Sequence, residues 1–364
     1  MKKEEHLKTV ALAPCYADNL RTIRPNEKPN YLPGVCYLGG FYDGSQQEHT
    51  DSLLKRAAGM LIQVHDKNLR IDPSLAQKIT GTATYGGIIF NHFGHFMLET
   101  LARAWYLRDC VSGDIYFYYA GQHRNGITFE NLTPWQKNIL GRLVPDTSRI
   151  KIINSPILFD ELTIPDAAFV IREFCAKAQV EALSWLGGKM AGGSSQQSVG
   201  DKIWLSRSAL TKGAVAGEKK FEEALNQEGF QVVHPEKLPL ADQIAVFEKA
   251  SIICGFTGSA FHVLLFAKNK SAKLMHFSRT KHLNRNYPVC AEATGCAAEY
   301  YNFYLRDGAI SGANGNVLQD LPAIWGLLYS KNLVKNPDYE DLASEADLER
   351  LDNALRLTEP QLFK

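Results

Sequence analysis

Four short stretches of this sequence combine residue types and spacing that suit chemistry. The first is Gly255-Phe256-Thr257-Gly258-Ser259-Ala260-Phe261-His262. It falls where a short apolar run ends and a helical pattern begins. Small residues there let a ligand approach the backbone, and the free N–H groups of a helix start suit a phosphate. Thr257 and Ser259 add hydroxyl donors. The stretch is neither a Walker loop nor a G-x-G-x-x-G turn. A plain glycine turn that packs a helix on a sheet would use the same residues.

The second stretch is Ser206-Arg207-Ser208, at the end of another short apolar run. An arginine at a strand end can grip a phosphate through two hydrogen bonds; a surface ion pair is the other reading. The third is His234-Pro235-Glu236, where Glu236 is a candidate for the ribose hydroxyls of a nucleotide. A solvated loop carboxylate would look alike. The fourth runs from Asn91 and His92 through His95 and Glu99 to Arg103. On a helix, His92, His95 and Glu99 share one face, and Glu99 can pair with Arg103 four residues on. His95 then sits in the first turn, where the dipole favours the neutral, proton-accepting imidazole. The alternative is a histidine pair capping a buried helix whose core is Phe96, Leu98 and Trp105.

A metal centre has less support. No Asp-x-Asp occurs; Asp338-Tyr339-Glu340 comes closest and lies in a charged tail. His92, His95 and Glu99 could in principle ligate zinc, but the clustered Cys/His spacing of a zinc site is missing.

The elements that must position these residues are clearest in the C-terminal half. Strands are expected at 202–206, 230–234, 251–255 and 273–277, and helices at 218–229, 240–250 and after Gly258. Strict alternation with short joins predicts a doubly wound parallel sheet. Ligands of such sheets bind at the carboxyl ends of the strands, where Arg207, Glu236 and Gly258 all fall. Upstream, helices are expected at 91–110, 133–143 and 174–186, and strands at 114–119 and 151–153. Residues 1–85 give no confident pattern. The small, polar run 187–200 reads as a flexible linker. The expected domains are therefore 1–190 on the acceptor side, 201–320 for the nucleotide, and a helical tail at 321–364.

Bulk properties narrow the function. The chain has 364 residues, 45% of them apolar and 22% charged, with a net charge of +1. Such a length favours two globular domains. The balanced charge argues against nucleic acid as a partner. Seven scattered cysteines, with no C-x-x-C, read as reduced thiols. The start, Met1-Lys2-Lys3-Glu4-Glu5-His6, lacks the apolar core of a signal peptide, and no run approaches a membrane span. A cytoplasmic location follows, with room for peripheral contact at the inner face of a membrane.

Together the four stretches resemble glycosyltransferase family 61. Gly94-His95-Phe96 followed by Glu99, Leu101 and Arg103 is similar to its G-H-F-x-x-E/D-x-L-x-R block. Lys202 to Arg207 is similar to its K-I-x-x-S-R strand. His234-Pro235-Glu236, followed by Leu240 and Gln243-Ile244, resembles its P-E-x-L-x-x-x-x-Q-I block. Gly255 to Phe266 resembles its G-x-x-G-S/A-A-x-x-x-x-L-F loop. The blocks occur in the family's order over 91–277. Thr257 departs from it, since many members carry histidine there, so no role of that histidine is carried over. His262 is another difference, this time from members outside the bacterial branch.

The resemblance implies a two-domain GT-B-type fold, a C-terminal Rossmann-like domain, inversion at the anomeric carbon and no required metal or other cofactor. It associates the bacterial branch with capsular and other surface polysaccharides. In this reading Ser206, Arg207, Glu236, Gly255, Thr257, Gly258, Ser259, Ala260 and His262 hold a nucleotide-sugar donor. Asn91, His92 and Arg103 face an oligosaccharide, polysaccharide or lipid-linked glycan acceptor. His95 is the base, and Glu99 orients it or serves as base itself. The alternatives are transfer of a phosphorylated polyol or sugar, and a non-catalytic nucleotide-sugar-binding partner in assembly. Donor sugar, linkage and oligomeric state are not legible.

Overall fold

A computed structural model of the chain describes residues 76–110, 113–120, 126–154, 157–195, 198–339 and 345–363, together with six short strands ahead of residue 76. The chain divides into two compact units, Met1–Lys189 and Met190–Lys364.

The first unit begins with strands β1 (Thr9–Leu12), β2 (Cys15–Ala17), β3 (Phe41–Tyr42) and β4 (Glu48–His49) and the β5–β6 hairpin (Leu54–Arg56, Met60–Ile62). Its centre is β7 (Gln77–Phe90), a strand of 14 residues. Then come helices α1 (Phe93–Leu98) and α2 (Ala104–Leu107), β8 (Asp114–Ala120), α3 (Pro134–Leu143), β9 (Ile150–Ile152) and β10 (Ile157–Pro165). A small hairpin, β11 (Phe169–Val170) with β12 (Phe174–Cys175), leads into α4 (Lys177–Ala191). The sheet has the order β4-β3-β2-β10-β7-β8-β9, with β1 also on β10. Strands β10, β7, β8 and β9 are parallel; β1 to β4 extend the sheet in antiparallel fashion. Tyr85, Tyr118, Phe159, Leu162 and Ile164 build the core on one face. Each such side chain contributes about 1.5–3 kcal/mol by leaving water.

Three expectations need correction here. The helix expected over 91–110 is broken: α1 stops at Leu98, a 3₁₀ turn spans Thr100–Arg103, and α2 follows. The cause is Thr100, whose hydroxyl donates to Ile88 O (2.8 Å) and accepts from Phe90 N (3.0 Å). Those bonds tie the chain to β7 and interrupt the helical ladder. The helix expected from 174 starts at Lys177, because Phe174 and Cys175 pair with β11. The run 187–200 is not a free linker, since α4 continues to Ala191. Beyond it, Ser194 Oγ, Ser195 N and Ser195 Oγ all donate to the Asp242 carboxylate, at 2.7–2.9 Å.

The second unit follows the expected alternation: β13 (Lys202–Leu205), α5 (Glu218–Gln227), β14 (Gln231–Val233), α6 (Leu240–Lys249), β15 (Ile252–Phe256), a 3₁₀ helix (Ser259–Phe266) and β16 (Lys273–Phe277). It then adds α7 (Asn286–Thr294), β17 (Ala298–Tyr301), the hairpin β18 (Tyr304–Asp307) with β19 (Val317–Gln319), and helices α8 (Leu321–Ser330) and α9 (Glu345–Thr358). The five strands are all parallel in the order β14-β13-β15-β16-β17. The switch point therefore lies between β13 and β15, at their carboxyl ends. Trp204 anchors the core, with Phe221 and Phe256 rings 5.2 and 5.4 Å away.

Helices α8 and α9 pack against the rest of the second unit. Leu321, Ile324, Trp325 and Leu328 of α8 are buried in the same cluster as Trp204, because α8 presents its apolar face to the sheet. On α9, Asp352 accepts bonds from Ala309 N (2.6 Å) and Asn316 Nδ2 (3.2 Å). Among the described residues no helix is long and apolar enough to cross a membrane, and the five described cysteines are free thiols.

Candidate functional site

The carboxyl ends of β13, β15 and β16 bring two arginines together. Arg207 follows β13, and its Nε donates to Gly213 O at 2.9 Å. Arg279 follows β16, and its Nη1 and Nη2 donate to Gly315 O (3.1 Å) and Ala313 O (2.8 Å). Both guanidinium groups close on one glycine. A Cβ on Gly213 would lie 2.7 Å from Arg207 Nη2 and 3.0 Å from Arg279 Nη1. Gly213 also has φ of 69°, so a side chain is excluded twice over. Neither guanidinium forms a salt bridge among the described residues, and the buried Nε of Arg279 has no hydrogen-bond partner. Burial, then the neighbouring Arg207, lowers the Arg279 pKa to about 10, so it stays charged at neutral pH.

Gly258 completes this cradle. Its Cα lies against Arg207, and a Cβ there would meet Nη1 at 2.3 Å. The residue is in extended conformation and caps the 3₁₀ helix. The N–H groups of Gly258, Ser259 and Ala260 donate no hydrogen bond among the described residues. Thr257 is buried; its N–H is bound to Phe277 O (2.9 Å) and its hydroxyl accepts from Arg279 N (3.1 Å). Tyr287 of α7 is buried near Thr257 and both arginines. Two guanidinium groups with no salt bridge among the described residues, together with three N–H groups, suit an anion with several oxygens.

Acidic residues support the cradle from below. Glu218, fully buried at the start of α5, accepts Arg207 N (3.1 Å) and Trp204 Nε1 (3.2 Å). Burial, then the nearby Glu222, raises its pKa to about 8. Glu222 is also buried and accepts from Ser208 Oγ at 2.8 Å, and burial raises its pKa too. Ser206 is buried, with its hydroxyl 3.1 Å from that of Ser208. Glu236 is partly exposed in the turn after β14, 3.6 Å from His234 Nδ1. Gly255 lies within β15, where a Cβ would strike Leu205 O at 2.7 Å. It is a packing glycine of the sheet. His262 is buried and stacks on Tyr287, with ring centroids 5.4 Å apart, so it supports that ring from inside.

In the first unit, the chain leaves β7 at Phe90 and turns through Asn91 and His92 into α1. His95 Nδ1 is hydrogen-bonded to Glu99 Oε2. Glu99 is almost wholly buried, whereas the His95 side chain is 24% exposed. The carboxylate thus fixes the ring from inside and leaves Nε2 to act. His92 packs edge-on to His95 at 5.2 Å, and Phe90 covers its other side at 5.4 Å. Asn91 is exposed. Arg103 turns inward: its Nε donates to Pro165 O (2.8 Å) and its guanidinium stacks over Tyr85 at 4.8 Å. It serves the packing of β7 and is not displayed to a ligand. Among the described residues no three His, Cys, Asp or Glu side chains converge as metal ligands.

Sequence reading missed Arg279, Tyr287 and Glu218. The strand-end rule that picked out Arg207 would have found Arg279 two residues after β16. Glu218 carries no such signal, because only the fold turns the first residue of α5 under β13.

A doubly wound sheet with Arg207 at its switch point and Arg279 at the next strand end suits a nucleotide, and the geometry of the His95–Glu99 pair suits a proton acceptor. The family model described as Glycosyltransferase 61 matches residues 93–274, half of the chain. The chain belongs to that family and is a glycosyltransferase, which implies a sugar donor and a glycan acceptor. The match spans His95, Glu99, Arg207 and Gly258 and ends just before Arg279. A comparison with curated proteins gave no match.

Proposed function

We propose that the protein transfers a sugar from a nucleotide-sugar donor to a glycan hydroxyl, with inversion, in the synthesis of capsular or other surface polysaccharide. In this reading the chain works as a GT-B-type enzyme on the cytoplasmic side of the membrane. The second unit takes the donor, and the first supplies the base. His95 Nε2 accepts the proton of the acceptor hydroxyl, while Nδ1–H stays on Glu99. The acceptor oxygen bonds to the anomeric carbon as the bond to the diphosphate breaks. The electron pair leaves on the diphosphate. One displacement from the far face inverts the anomeric centre.

The observation that carries the reading is the convergence of Arg207 and Arg279 on Gly213. Two like charges this close, with no carboxylate salt-bridged to either among the described residues, are best satisfied by an anion carrying more than one charge. With the N–H groups of residues 258–260 they would offset the charge that develops on the leaving diphosphate. We propose that this protein-borne charge removes the need for a metal. A melting-temperature screen with a panel of nucleotide sugars, in the presence of a chelator, tests it. A donor at 100 times its dissociation constant should stabilise the fold by about 2.7 kcal/mol. No shift with any nucleotide sugar would end the donor assignment. A shift seen only after magnesium or manganese is restored would end the metal-independent part.

A further inference from the structure

The first unit holds a cavity of about 440 Å³. That is within the roughly 300–1,000 Å³ of small-molecule sites. Its floor is sheet surface: Thr82 and Thr84 of β7 and Thr163 of β10, with Thr84 and Thr163 paired in register. A parallel sheet normally buries apolar residues beneath its helices. Three threonines on one patch of face are a departure from that rule.

One wall is aromatic. Trp105 and Tyr106 of α2 line it, and the indole N–H is fixed on Asp166 O at 2.9 Å. Tyr106 faces the same cavity as Thr84 and Thr163. The rim is charged, and among the described residues that line it the cation is Arg108. Arg108 is held by Asp109 through Nε (3.1 Å) and Nη2 (2.7 Å). Glu181 adds a second carboxylate, ion-paired with Lys177 at 3.9 Å.

This lining selects its ligand class. Phosphates and acidic sugars would meet two carboxylates and an arginine already taken. A purely apolar ligand would bury hydroxyls and carboxylates without partners, which costs free energy. A neutral polyhydroxyl ligand matches both halves, with C–H faces on the aromatic wall and hydroxyls on the threonines and rim. The place is also informative. Thr84 precedes Phe90 by six residues on β7, so the cavity lies about 20 Å of strand away from the His95 end.

We propose that this cavity is a secondary saccharide site, holding a neutral part of the glycan remote from the reacting hydroxyl. The proposal rests on the acceptor being a glycan, and it is tested without turnover. Maltotriose, cellotriose, mannotriose and chitotriose are titrated into the full-length protein, with binding read by calorimetry and saturation-transfer NMR. At least one should bind. The double variant Asp109→Ala/Glu181→Ala, at exposed rim positions, should bind it at least about tenfold more weakly. Ala178→Trp, which fills the cavity from α4, should do the same. Melting temperature and nucleotide-sugar stabilisation should stay as in the wild type. Uridine diphosphate and inorganic phosphate should not displace the saccharide. The assignment is overturned if no trisaccharide binds, if binding survives the rim variant in folded protein, or if phosphate competes. Loss of the nucleotide-sugar response would count against the donor reading alone.

Discussion

Both units place polar residues at the carboxyl ends of parallel strands, yet the two ends are equipped for different work. In the second unit two arginines lean on one glycine, over open N–H groups and a buried glutamate. In the first unit the corresponding region offers a half-open histidine on a buried carboxylate, while its arginine turns inward to Pro165. The first arrangement suits holding charge and the second moving a proton. The difference teaches that the carboxyl ends of parallel strands fix where a site lies, whereas the side chains at those ends fix what it does.

The largest expected effect is on the proton-moving side. His95→Ala should lower turnover by about 10²–10⁴-fold with donor affinity and melting temperature kept. Glu99→Gln should be milder than His95→Ala if Glu99 only orients the ring; the reverse order in measured rates would make Glu99 the base. On the charge-holding side, Arg207→Ala and Arg279→Ala should each weaken nucleoside diphosphate binding by about 1.5–3 kcal/mol, read by calorimetry. Gly258→Ala should act in the same direction by displacing the Arg207 guanidinium, since its new methyl would overlap Nη1.

A subtler difference is in pH dependence. Glu218 has its folded pKa raised from 4.5 to about 8, so between these values the folded state holds more protons than the unfolded one. Stability should then fall as pH rises through this window. His276 works in the opposite sense, because burial lowers its pKa from 6.5 to about 3 and stability rises with pH between those values. Above pH 6.5 that opposing slope is gone. Denaturant unfolding at pH 6.5 and 8 should show lower stability at pH 8, and Glu218→Gln should flatten the slope. A smaller effect is expected at the segment joining α4 to β13. Asp242→Ala should cost about 1–3 kcal/mol through loss of the bonds from Ser194 and Ser195, with binding and turnover unaffected.

The two units also differ in how far sequence alone reveals them. The second was legible because its strands are short apolar runs framed by amphipathic helices, and β16 was read to the residue. Its later part was not, because α7 has little amphipathic contrast and β17 is only half-buried, so neither pattern stands out. In the first unit β7 escaped notice. Its leading half is exposed and polar, its trailing half is wholly buried, and Gly81, Gly86 and Gly87 interrupt it, so no alternation persists. The His95–Glu99 pair was legible from spacing alone, since both contact partners lie within one local segment. Arg279 meeting Arg207 was not, because their approach depends on the order of β13, β15 and β16 across the sheet.

The division of labour is tested most directly by one calorimetric comparison. A nucleoside diphosphate is titrated, with chelator present, into wild type, His95→Ala and Arg207→Ala. Unchanged affinity in His95→Ala, with weakened affinity in Arg207→Ala, is the predicted result. Equal affinity in all three, or a loss confined to His95→Ala, would contradict the assignment of the diphosphate to the second unit.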